Sequence, residues 1–192
     1  LQYTAASKAY ALGFTGLGVK IGIADSRIQW DHPELIQRVY GPKPLYEFPT
    51  PGFPDFPIHG THVAGIAAAE RDGIGMMGVA FDASIAAVTA ASVDGYPKDM
   101  DWAQSLIDAR VSVMNASFGP SARPKADVGP QVYFQVLEEN NSLLENAKNV
   151  TKLADADVVM VFAAGNDFID QPNASMEPSG AALLPLVTPA NT

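Results

Sequence analysis

The stretch Val19–Ala24, VKIGIA, ends directly on a carboxylate, Asp25. A short continuous apolar run closed by a polar residue reads as a strand buried on both faces, the pattern of a parallel sheet. Three more runs share it: Ser84–Thr89 (SIAAVT), Val111–Ala116 (VSVMNA) and Val158–Ala163 (VVMVFA). Helical spacing fills the intervals. Thr61–Glu70 is rich in Ala and Val, and Asp101–Arg110 carries Trp102, Leu106 and Ile107 on one stripe. The longest helical stretch runs from Gln131 to Ala156, with a break expected near Asn140. Strands alternating with helices of this length predict βαβ crossovers, hence an α/β fold with an open, mostly parallel sheet and helices on both faces.

Pro and Gly mark the irregular parts. Gly41–Ile58 holds six prolines and is neither a central strand nor a helix. Ser121–Pro130 and Asp170–Pro189 read as further loops. No repeat or linker divides the chain, so residues 1–192 are expected to form a single domain. Its most apolar strand, VVMVF, has no comparable successor. A bare strand of this kind is an aggregation template, so the sheet is expected to be cut off part-way.

Composition narrows the chemistry. Lys+Arg 12 against Asp+Glu 21 gives a net charge of −9. That balance argues against nucleic-acid or anionic-membrane partners, which need a basic excess. Hydrophobic residues at 47% and charged ones at 17% suit a chain with a real core. With Cys 0, disulfides, thiol nucleophiles and cysteine metal sites are all excluded. No run of 18 apolar residues occurs, so no membrane contact is expected from this segment. The opening LQYTAASKAY lacks a signal-peptide pattern and reads as a mature or excised N-terminus.

Three polar groups fall at or beside the carboxyl ends of the predicted strands, where ligands bind in open α/β sheets. Asp25 closes the first strand; read alone, it serves equally as a cap for the following turn. His59 opens the Ala-rich helix in His59-Gly60-Thr61-His62-Val63-Ala64-Gly65, and imidazole is the preferred base near neutral pH. His62 lies three residues on, whereas the zinc helix signature spaces its histidines by four and adds a Glu, so no metal is assigned here. Asn166 follows the last strand in AAGN, where a side-chain amide suits donation to a developing oxyanion. Read alone, a Gly-Asn is more commonly an Asn tolerated in a left-handed turn.

Taken in order, the block around Asp25, then HGTHVAG, then Asn115-Ala116-Ser117-Phe118-Gly119, then AAGN, the chain resembles the subtilisin-like serine proteases, the subtilases, over about Thr15–Phe168. The resemblance implies an N-terminal portion of a subtilisin-like peptidase domain. It implies that Asp25 orients His59, that His59 accepts a proton from a serine, and that Asn166 donates to the oxyanion. Ser117, Phe118 and Gly119 would pair with an extended polypeptide substrate, and Ser92–Gly95 would form the facing strand.

Two departures stand out. Arg27 occupies a position that is usually Gly in the family, which predicts altered turn geometry and a cation near the cleft. The Gly-Thr-Ser-Met/Ala segment that carries the family's nucleophile does not occur in these residues. This chain alone is therefore expected to be inactive, with the C-terminal half of the protease domain as its partner and self-association through the exposed sheet edge. A silent homologue that binds peptide or protein in the same cleft is the alternative. No cofactor is implied for catalysis. The resemblance does imply a structural calcium site at Glu34 and Asp72, where carboxylates and loop carbonyls suit that cation; Glu34 read alone is a solvated turn residue. Family habit implies secretion or a cell-surface location.

Overall fold

A computed structural model describes residues 4–40, 58–90, 101–117 and 141–163. Within them a short helix α1 (Ala6–Ala11) precedes β1 (Lys20–Asp25), α2 (Ile58–Ala68) and β2 (Ser84–Thr89). Then follow α3 (Trp102–Asp108), β3 (Val113–Ala116), α4 (Asn141–Asp155) and β4 (Val159–Phe162). The four strands form one parallel sheet in the order β2-β1-β3-β4. The expected α/β architecture is thus present, with strand ends within two residues of the predicted ones. Helix α1 was not anticipated, because ASKAYA is too short to show an apolar period.

Each sheet face has its own core. On one side, Ala64 and Ala68 of α2 pack with Ile23, Ile28, Leu35, Ala83 and Ile85. Small alanines let this helix lie close to the strands. On the other side, α3 and α4 bring Trp102, Leu106, Ala147, Val150 and Leu153 against Ala24, Ala86, Met114 and Ala116. Gly22 makes room there, since a Cβ on it would meet Leu106 Cδ1 at 3.2 Å.

The expectation that every strand is buried on both faces fails at β4. Met160 and Phe162 pack on the α3–α4 side, whereas Val159 is 62% and Val161 50% exposed. The register explains it. Ile23 pairs with Asn115 and Asn115 with Val161, so both valines lie on the α2 face. That helix packs chiefly on β1 and β2, and the exposure of both valines shows that its cover does not extend to β4. The opposite edge of the sheet is better protected, because Tyr40 N–H donates to Ile85 O and Ile85 N–H to Arg38 O.

Candidate active site

Parallel strands align their carboxyl ends on one edge of a sheet. Here Asp25 lies opposite Thr89, and Ala24 opposite Ala116, so Ser117 follows at the same level. Ala163 N–H donates to Ala116 O, which brings the end of β4 to this edge too. Asp25 is the last residue of β1 and only 1% exposed. Its main chain is held by Ala90 N–H, which donates to Asp25 O at 2.9 Å.

His59 stands in the first turn of α2, and its Nδ1 lies 2.6 Å from Asp25 Oδ1. A carboxylate only accepts, so the ring proton belongs on Nδ1 and leaves Nε2 as the acceptor. The same Oδ1 accepts from Ser26 N–H at 2.7 Å, while Oδ2 is buried without a hydrogen-bond partner. The two side chains contrast sharply. The carboxylate is enclosed, while the imidazole side chain is 62% exposed at the sheet edge. A short charge-assisted bond donated to a fixed, desolvated carboxylate orients a ring that can still meet a substrate. Chemically this is a proton acceptor whose cationic form has a counter-charge waiting.

Arg27 is enclosed in the turn, with its Nε and Nη1 buried. It is 3% exposed, and its backbone is not among the left-handed non-glycine positions, which are Ala5, Arg110 and Asp157. The turn after β1 therefore does not require glycine at this position.

Ser117 Oγ accepts from Asn115 Nδ2 at 2.9 Å. Phe118, Gly119, Ser92–Gly95 and Asn166 lie outside the described residues. Ser26, Gly60 and Thr61 were not singled out in the sequence as site residues, yet they flank the Asp25–His59 pair. Ser26 Oγ accepts from Gly60 N–H, and Thr61 Oγ1 from Gln29 N–H, each at 2.9 Å. The available signal was a hydroxyl residue directly after the strand-ending carboxylate and another two after the His.

Glu34 lies in a turn and is half-buried rather than fully solvated. Its Oε1 accepts from Met76 N–H at 3.4 Å, its backbone O from Glu70 N–H, and its Oε2 is buried without a partner. Asp72 Oδ1 accepts from Ile74 N–H in the same loop. Among the described residues no three His, Asp or Glu side chains cluster as a ready metal cage.

Comparison with known proteins bears on this geometry. Residues 16–192 match the profile of the Peptidase S8, subtilase family. An extracellular serine protease of Serratia marcescens is 38% identical over 122 residues, covering 62% of this chain and 11% of that protein. Subtilisin E of Bacillus subtilis (strain 168) is 35% identical over 113 residues, covering 57% of this chain and 29% of the relative. The prenylagaramide maturation protease PagA superposes with a TM-score of 0.56 at 17% identity, over 84% of this chain and 51% of that one. The chain thus spans less than a third of the curated relatives and about half of the solved structure.

Proposed function

This chain belongs to the subtilase family, and from that premise we propose that it forms the acid–base half of a serine endopeptidase acting on polypeptides. The observation that carries the reading is the 2.6 Å contact between His59 Nδ1 and the buried Asp25 carboxylate. In the proposed reaction a serine from outside these 192 residues attacks the scissile carbonyl carbon. His59 Nε2 takes the hydroxyl proton and later passes it to the leaving amine, while Asp25 stabilises the imidazolium and does not itself take up the proton. Asn166 donates to the oxyanion, and Ser117, Phe118 and Gly119 pair with substrate backbone. A water then repeats the cycle to free the acyl group.

The missing partner in this scheme is the C-terminal half of the domain. The bare valine face of β4 is consistent with further chain packing there, or with a second copy through the same sheet edge. No helix among the described residues is long and apolar enough to cross a membrane. A secreted or cell-surface setting rests on the extracellular relative.

No cofactor is invoked for catalysis. A structural calcium ion suits the buried, unpartnered Glu34 Oε2, with Asp72 and loop carbonyls completing an oxygen shell.

A fluorophosphonate that labels activated serines tests the central proposal. The 192-residue chain should remain unlabelled, and a longer gene product should be labelled unless His59 is changed to Ala. Stoichiometric labelling of the 192-residue chain would overturn the proposed division of the triad. A longer product without a reactive serine would establish the silent peptide-binding homologue instead.

A further inference from the structure

The first amides of an α-helix have no partner within the helix, and a side chain just before it normally accepts from one of them. In helix α2 a remote side chain serves one of them. Pro57 precedes its first residue, Ile58, and has no side-chain oxygen. The acceptor comes instead from 34 positions upstream, where the buried Ser26 Oγ takes the Gly60 N–H.

Ser26 therefore touches the chain on both sides of the Asp25–His59 contact. Its own N–H holds Asp25 Oδ1 at 2.7 Å, and its hydroxyl holds the amide next to His59. A reciprocal bond closes the loop, from Gln29 N–H to Thr61 Oγ1. The two segments are in direct backbone contact. A Cβ on Gly60 would lie 2.5 Å from Ser26 O and 2.8 Å from Arg27 O, so only glycine allows this approach.

We propose that Ser26, assisted by Thr61, is a positioning residue that sets the distance from His59 to Asp25 by capping α2 across the chain. The proposal rests on the acid–base reading above. Starting the helix and closing the proton-transfer pair become one event, because the same hydroxyl serves both. Without it, the first turn of α2 can fray with His59 on it, and the imidazole loses its fixed distance from the carboxylate.

Proton NMR of the 192-residue chain tests this through the low-field Nδ1 proton of His59, assigned by its loss in His59→Gln. It should be present in the native chain and absent in Asp25→Asn. In Ser26→Ala it should exchange with solvent on the order of 10-fold faster, the scale set by losing one buried hydrogen bond. Ser26→Thr, which keeps the hydroxyl, should restore slow exchange. A merely structural role would lower the melting temperature of Ser26→Ala and leave the exchange rate at low temperature unchanged; that result overturns the positioning role while the Asp25–His59 pair stands. If the native chain lacks the resonance, or Asp25→Asn keeps it, the acid–base reading fails and the positioning proposal with it. Should Ser26→Ala not fold, Ser26→Cys, which keeps the shape but offers Gly60 N–H only a weak acceptor, carries the same test, with faster exchange expected and unchanged exchange overturning the positioning role.

Discussion

Asp25 is a buried carboxylate and Glu34 a half-buried one with one oxygen enclosed, and they meet the cost of desolvation differently. A desolvated charge is unfavourable unless paired, and Asp25 pairs with His59 and Ser26 N–H through one oxygen. Glu34 has only the long bond from Met76 N–H, and its other oxygen is buried alone. Calcium at saturating concentration should therefore raise the melting temperature. At about 100 times the dissociation constant the gain is about 2.7 kcal/mol. Glu34→Gln should abolish the calcium-dependent part, and a calcium-independent melting curve in the unaltered chain would refute the site. Both residues were visible in the sequence as candidates. Their enclosure was not, because it comes from groups remote in the chain: His59 and the sheet around Asp25, and the turn at Gly75 and Met76 against Glu34.

At the scale of elements, α3 and α4 are joined by polar groups that no periodicity predicts. Asn149 is buried; its Oδ1 accepts from Ala103 N–H at 2.8 Å and its Nδ2 donates to Glu145 O. Asn146 accepts from Trp102 Nε1. These asparagines sit on the apolar face of α4 because the start of α3 presents donors there, and an unmet donor in a core is expensive. Asn149→Ala should cost about 1–3 kcal/mol in urea unfolding, with little pH dependence. Asp101, the cap of α3, behaves differently. The hydrogen bond from Lys152 holds its carboxyl below the ordinary value of 3.8. A lowered value in the folded state means a contribution present above about pH 3.8 and lost as pH falls through the lowered value. Asp101→Asn should thus narrow the gap to the native chain only in strong acid, and an equal gap at pH 2 and pH 7 would contradict the pairing.

For the molecule as a whole, the unequal cover of the two sheet faces matters most. Met160 and Phe162 join the α3–α4 core, while Val159 and Val161 on the same strand are exposed. An apolar face beside a sheet edge favours association. Sedimentation should show concentration-dependent self-association of the 192-residue chain that Val161→Lys weakens while the far-ultraviolet spectrum is kept. A compact, non-associating monomer at high concentration would count against this face as a contact surface.

What could be read in the residue order alone was whatever depends on near neighbours. Four apolar runs of strand length, helical spacing between them, a carboxylate closing the first run and HGTHVAG opening a helix follow from local burial and local backbone preference. Tertiary structure alone decided which remote groups meet. Ser26, 32 positions before the start of α2, accepts from an amide in the first turn of that helix. Arg27 occupies the turn after β1 without a left-handed backbone, and two valines in the most apolar strand lie on the α2 face beyond that helix's cover. Periodicity reports that a side chain has an inner face. Only the register of the strands and the placement of each helix say what covers it.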